Sequence, residues 1–187
     1  MFYCLLLGYP TGQEKGTYLA LEIIGMDIYA CQVKLKGEGG KLAINQYQYK
    51  IPQDLMSGDD FVVLIDYVVE CVSDFLGRVG TQDSFVYPMA CSLCFAIKQT
   101  ALNNGRILSL GHGFSYPNGV GVDIVQLMHE RMQVKGLPIK VVAITNGKDR
   151  LFHNIRNEKK RLFHLQVQFI KSYWCTFFDT DPYLFIN

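Results

Sequence analysis

The sequence predicts an α/β fold. The order of residue patterns is three strands, a helix, a strand, a helix and a strand, and alternation of this kind is typical of α/β domains. Hydrophobic residues make up 49% of the chain and charged residues 19%, which is enough apolar material for a packed core. The 187 residues suffice for one domain and a tail.

Three strands are predicted at the start of this order. Alternating apolar residues mark residues 17–24 and 28–35, and Gly25-Met26-Asp27 supplies the tight turn between them. The glycine-rich residues 37–40 form the next turn, and a third strand follows at 41–49.

A helix is predicted from Asp60 onward, because apolar residues recur there at intervals of three and four. Ser57 or Asp59 can accept hydrogen bonds from its first amides, and Gly77 and Gly80 can end it.

The second half of the domain alternates in the same way. Asp123 can cap a second helix that ends at Gly136. The other segments are a buried strand at 86–97, a turn at 99–105, a short strand at 106–110, a glycine-punctuated loop at 111–121 and a final strand at 139–144.

Charge and cysteine content bound the partners and the compartment. The net charge of +1 provides no overall field for nucleic acid or for an anionic membrane, so neither is an expected partner. The six cysteines lie mostly in apolar runs, where they act as small hydrophobes. No segment approaches the roughly 20 apolar residues of a membrane span. The expected location is the cytoplasm.

The sequence changes character after Asn146-Gly147, and a domain boundary is predicted between residues 1–149 and 150–187. The second segment is basic, with six Lys or Arg residues and three acidic ones. Its aromatic residues are Phe152, Phe163, Phe169, Tyr173, Trp174, Phe177, Phe178, Tyr183 and Phe185. Such density is typical of an interface when it is exposed.

Local motifs leave a functional and a structural interpretation open. Cys91 and Cys94 have the CxxC spacing of zinc and redox sites, but they fall in a predicted strand, where residues three apart face opposite ways, which favours structural cysteines. His112 is flanked by glycines and could act as an acid or base, although an ordinary loop is the simpler interpretation. His129 is expected at the surface, and the basic run 157–161 as a solvated face or a phosphate-binding cluster.

Residues 8–146 resemble the small lobe of eukaryotic hexokinases, closest to the fungal glucokinase type. The landmarks fall in one order along the chain. They are Leu-Ala-Leu-Glu-Ile-Ile-Gly-Met-Asp at 19–27, Ile-Pro-Gln-Asp-Leu at 51–55, Ser-Leu-Cys-Phe-Ala at 92–96, Gln-Thr-Ala-Leu-Asn-Asn-Gly at 99–105, Gly-His-Gly-Phe at 111–114 and Val-Val-Ala-Ile-Thr-Asn at 141–146.

This resemblance implies a fold, a reaction and site residues. The fold would be the RNase H-like small lobe of the actin and hexokinase kind, a mixed five-stranded sheet with flanking helices, incomplete here. The reaction would be ATP-dependent phosphorylation of a hexose such as glucose, with ATP and Mg as cofactors. The sugar-binding positions are Asn146, Cys94, Phe95, Gly111 and His112. The phosphate-segment positions are Glu22, Gly25 and Asp27. No metal ligands are expected.

The differences from the family pattern fall on these positions. The carboxylate that serves the family as general base is replaced by Gly147, and Asp149, two residues further, is the nearest substitute. Cys94 stands for a serine, Gly111 for a threonine and His112 for a lysine. We therefore expect a pseudoenzyme or fragment with little or no activity alone. The alternatives are an interaction or regulatory module, acting through residues 150–187, and a weak glucose-binding protein.

Overall fold

A mixed five-stranded sheet forms the centre of the molecule. The computed structural model describes residues 13, 15–37, 42–82 and 84–146, apart from the side chains of Leu42 and Asn146. Its strands are β1 Lys15–Ile24, β2 Asp27–Lys36, β3 Leu42–Lys50, β4 Tyr87–Leu93 and β7 Ile139–Asn146. They lie in the order β3-β2-β1-β4-β7 across the sheet. This confirms the predicted fold class.

The sheet combines antiparallel and parallel pairing. β1, β2 and β3 form an antiparallel meander, whereas β1, β4 and β7 run parallel. Parallel neighbours end at the same edge of a sheet, so the carboxyl ends of three strands meet there. The pairing of β4 with β7 contains a bulge, because Met89 pairs with Val141 but Ala90 pairs with Ala143, which leaves Val142 as the surplus residue.

Two helices cover one face of this sheet. Helix α1 spans Phe61–Val79 and α2 spans Ile124–Val134. Their apolar residues join the odd-numbered side chains of β1, including Leu19 and Leu21, in one core cluster. The cap of α1 is Asp60 and its end is Gly80, so Ser57 and Asp59 do not cap it and Gly77 lies inside it. Asp123 caps α2 as predicted.

The segment that follows β4 differs from the prediction. The strand expected over 86–97 is interrupted at Cys94 and Phe95, because the chain bends there and the Phe95 ring enters the core between Phe61 and Phe114. The turn expected at 99–105 is mostly strand. A hairpin of β5 Ala96–Ala101 and β6 Asn104–Ser109 occupies this region.

Within the described ranges, no helix is long and apolar enough to cross a membrane. The predicted tail at 150–187 lies outside the described residues, as do Gly147 and Asp149.

Candidate functional site

The shared carboxyl edge of β1, β4 and β7 brings together most of the predicted site positions. Glu22 on β1 pairs in register with Ser92 on β4, and Ser92 pairs with Thr145 on β7. Residues paired in register place their side chains on the same face of a sheet. Leu93 pairs with Asn146, so the backbone of Asn146 lies one residue away from the Cys94 position.

Glu22 is the buried acidic group of this edge. Its side chain is 5% exposed, and the Ser92 hydroxyl donates to Glu22 Oε1 at 3.4 Å. Burial of a carboxylate is costly unless the group has polar partners, and Ser92 is one of them. The Glu22 carboxylate is therefore buried and hydrogen-bonded within the sheet, and it is not presented to solvent.

The turn between β1 and β2 carries the other two phosphate-segment positions. Gly25 adopts a φ of 56°, and a Cβ at this position would meet nothing within 4 Å, so the space beside its Cα is open. Asp27 accepts a hydrogen bond from Gln48 Nε2 at 3.0 Å and lies 3.6 Å from Lys50 Nζ. Ile24, which stands where the family has a glycine, is 38% exposed beside them.

The sugar-segment positions Cys94 and Phe95 are buried, at 4% and 0% exposure. The Phe95 ring makes edge contacts with Phe61 and Phe114, with centroids 5.8 and 5.5 Å apart. Both residues therefore serve the core, and neither presents a group to solvent.

The loop that holds Gly111 and His112 lies directly over this aromatic cluster. Phe114, two residues after His112, packs on Phe95, and Ser115 N donates to Met56 O at 2.9 Å. His112 is exposed and has a φ of 53°, a left-handed conformation that non-glycine residues rarely adopt. The structure therefore presents the His112 side chain on a loop whose base is fixed.

The hairpin β5–β6 fixes the edge from the other side, which sequence reasoning did not assign. Gln99 Nε2 donates to Ile144 O at 3.0 Å and to Leu102 O at 3.2 Å. Ile144 N donates to the same Leu102 oxygen at 2.9 Å. The signal available in the sequence was the Gln-Thr-x-Leu-Asn-x-Gly motif, whose first residue holds β7 two positions before Asn146.

Two further residues of this motif support the hairpin. Asn104 Nδ2 donates to Asp123 Oδ2 at 2.8 Å, which links the hairpin to the cap of α2. A Cβ at Gly105 would lie 2.6 Å from Ile97 Cγ2 and 2.7 Å from Ile144 Cδ1, so only glycine fits without displacement of its neighbours.

His129 differs from its prediction as a surface residue. It is half-buried on α2, and its Nε2 accepts a hydrogen bond from Val141 N at 2.7 Å. Burial lowers its pKa, and Lys140 adds to this effect while Asp123 opposes it. The ring therefore supports the edge of β7 as a neutral acceptor.

The cysteines of this region do not form a reactive site. Cys91 lies within β4, whereas Cys94 follows the end of this strand. The expectation that one strand holds both cysteines was therefore wrong. Both thiols are buried. Burial raises the pKa of Cys91, which disfavours the thiolate that metal binding and redox chemistry require.

Comparison with known proteins identifies the family. A protein-family model described as hexokinase matches residues 1–148. The hexokinase of Emericella nidulans is 30% identical over 142 residues, and Glucokinase-1 of Saccharomyces cerevisiae is 29% identical over 155 residues; the matches cover 75% and 78% of this chain. The chain spans about 30% of the length of these relatives, since 29% and 31% of them are covered.

Solved structures give the same result. A hexokinase from Schistosoma mansoni, complexed with glucose, superposes with a TM-score of 0.67 at 29% identity. The match covers 74% of this chain and 31% of that one. A second hexokinase crystal structure superposes with a TM-score of 0.69 at 25% identity. With a matching family model over most of its length and the same sheet and helices, the chain belongs to the hexokinase family, of which it represents part of one lobe.

Proposed function

We propose that this chain is a hexokinase-type small lobe that does not phosphorylate sugars by itself. One observation carries the proposal: the position of the family's general base is Gly147, which has no side chain. A general base has to lie within hydrogen-bond reach of the proton that it removes, and a shift of two residues, to Asp149, moves a carboxylate by several ångströms. Sugar phosphorylation is therefore not expected at this edge.

The sugar-binding positions support the same conclusion. Cys94 and Phe95 are buried, and Gly111 lacks the hydroxyl that its family counterpart carries. His112 and Asn146 are the two positions that retain a polar side chain. Two polar groups can bind hydroxyls, but they do not align a hexose for attack, and alignment is most of what such enzymes supply.

The phosphate-segment residues do not fit ATP with magnesium. Glu22 is buried and bonded to Ser92. Asp27 adds a negative charge at the half-buried turn, partly balanced by Lys50, whose Nζ lies 3.6 Å from its carboxylate. Ile24 projects a branched side chain where close backbone approach to a phosphate requires glycine. Family membership implies ATP and Mg as cofactors of the complete enzymes.

A coupled assay tests the proposal. The purified chain is incubated with glucose and Mg-ATP, with an active hexokinase as positive control. We expect no turnover above background, whereas a kcat near or above about 1 s⁻¹, which lies in the ordinary enzyme range, would overturn the proposal. Titration calorimetry at millimolar glucose tests separately whether His112 and Asn146 retain glucose binding without phosphate transfer. An absence of heat would contradict glucose binding.

A second candidate function is an interaction or regulatory module. It is favoured by the nine aromatic and six basic residues of segment 150–187, which would dock on a protein partner such as a full-length sugar kinase. Size-exclusion chromatography with light scattering tests it. A monomer whose solubility does not change when the segment is deleted would contradict this function.

A further inference from the structure

The five-stranded sheet has a second face, opposite α1 and α2, whose centre is lined by small residues. Register pairing places Cys31, Ala20, Ala90 and Ala143 side by side on β2, β1, β4 and β7. Larger residues flank this row. Val33 and Tyr18 lie on one side of it, and the row with Glu22 and Ser92 lies on the other. The result is a shallow trough across the sheet.

The trough is buried, although the helices lie on the other face. The exposed fractions of Ala20, Cys31, Ala90 and Ala143 are 5%, 0%, 4% and 0%. Among the described residues, the core cluster on this face consists of strand residues only: Ala20, Cys31 and Val33, packed with Tyr18, Leu35 and Ile44. Side chains as short as alanine shield one another little, and a sheet face buried to this degree normally lies under a second layer.

We propose that residues 150–187 of the same chain form the layer that covers this face. β7 belongs to the sheet and ends at Asn146, so the segment begins at the border of the face. Five strands about 4.8 Å apart span roughly 20 Å, which about six extended residues can cross. The nine aromatic side chains of the segment supply the bulk that a trough of small residues requires for close packing.

This inference goes beyond the proposed function, because it assigns the segment to its own domain and makes no use of sugar or nucleotide binding. It also competes with the second candidate function. If the segment fills the trough, its aromatic residues are buried against the same chain and are not available as a surface for an external partner.

Two buried cysteines provide a matched pair of probes. Cys31 lies in the trough, and Cys91 lies on the helix face of the same sheet; both are 0% exposed. In the full chain we expect slow maleimide labelling at both, measured peptide by peptide with mass spectrometry. In a variant with W174S, F177S and F178S, we expect labelling of Cys31 to accelerate at least tenfold while Cys91 stays slow. The control variant carries V86S and V134S, at two exposed valines of the described domain.

Cys31 labelling that remains slow in the segment variant overturns the proposal. Faster labelling at both thiols indicates that the variant has unfolded. In that case the tryptophan fluorescence of the unmodified chain tests the proposal. Its single tryptophan, Trp174, lies in the segment. We expect a blue-shifted emission that acrylamide quenches poorly and that does not depend on protein concentration. A red-shifted, freely quenched emission contradicts the docking, and a concentration dependence assigns the face to a second copy of the chain.

Discussion

His129 and Gln99 both provide hydrogen-bond partners for backbone groups at the outer edge of β7. Within the part of the chain that the structure describes, this strand pairs with β4 on one side only, so its other edge presents amide and carbonyl groups that need partners. His129 Nε2 accepts from Val141 N, and Gln99 Nε2 donates to Ile144 O. Each side chain replaces a neighbouring strand at one position, and each thereby fixes the strand that ends at Asn146.

Stability is expected to fall in mild acid because of His129. Its pKa is lowered from 6.5 in the folded state, so the unfolded chain binds the proton more readily. The stabilisation is present above pH 6.5 and is lost as the pH falls through the folded-state pKa. We expect H129A to lower the free energy of unfolding at pH 7.5 by about 1–3 kcal/mol, because it leaves the Val141 amide without its acceptor.

Urea denaturation of H129A between pH 5 and 8 measures both effects. The variant should also lose part of the pH dependence of the parent. H112N is the matched control, because His112 is exposed and asparagine tolerates its left-handed backbone. Equal losses in H129A and H112N, or an unchanged pH profile in H129A, would contradict the assignment.

Polar contacts join helix α1 to a distant loop and to helix α2. Helix α1 begins with Asp60, whose side chain accepts from Val62 N, and Asn118 Oδ1 accepts from Phe61 N at 2.8 Å. Asn118 comes from the loop before α2, 57 residues further along the chain. Later in the two helices, Arg131 of α2 forms a two-bond ion pair with Asp66 of α1, and Lys135 pairs with Glu70.

Removal of the distant cap should destabilise α1. We expect N118A to lower the free energy of unfolding by about 1–2 kcal/mol, because the Phe61 amide loses its acceptor at the start of the helix. N118D keeps an acceptor but places a second carboxylate beside Asp60, so it should recover part of the loss in high salt. Thermal denaturation followed by circular dichroism at low and high salt provides the measurement. An N118A variant as stable as the parent would contradict this role.

At the scale of the whole molecule, one core cluster connects both helices with the sheet. It includes residues of α1, of α2, of the hairpin and of strands β1, β2, β4 and β7. A single cluster of this extent leaves no boundary along which the described part of the chain could separate into independent units. The described domain is therefore one cooperative body.

Unfolding should accordingly be a single transition. We expect far-ultraviolet and near-ultraviolet circular dichroism to give the same midpoint in urea, because helices and aromatic packing depend on the same core. The near-ultraviolet signal reports the packing of the tyrosines and of the single tryptophan, and Tyr116 packs against Phe61 in the core. Midpoints that differ beyond experimental error would contradict a single cooperative transition.

Much of the fold was predictable, because it depends on patterns of local sequence. The period of apolar residues defined α1, and Asp123 marked the start of α2. The break at Cys94 and Phe95 was not predictable from periodicity, since an apolar run reads the same whether it continues as a strand or bends into the core. The roles of His129, Gln99 and Asn118 could not be predicted either, because each side chain bonds a backbone group that is distant in sequence. The candidate site positions came from family resemblance, and the burial of Cys94 and Glu22 required coordinates.

The bulge in β7 has a consequence for how this strand tolerates change in length. Beyond Val142 the strand continues with its alternation displaced by one residue, so that Ile144 joins the helix-side core and Ala143 and Thr145 fall in line with Ala90 and Ser92. Deleting Val142 would remove the bulge and leave Ala143, Ile144 and Thr145 opposite their present partners, because Val142 is the residue without a partner on β4. The bulge therefore marks the one position at which β7 can lose a residue while its inner and outer side chains keep their faces.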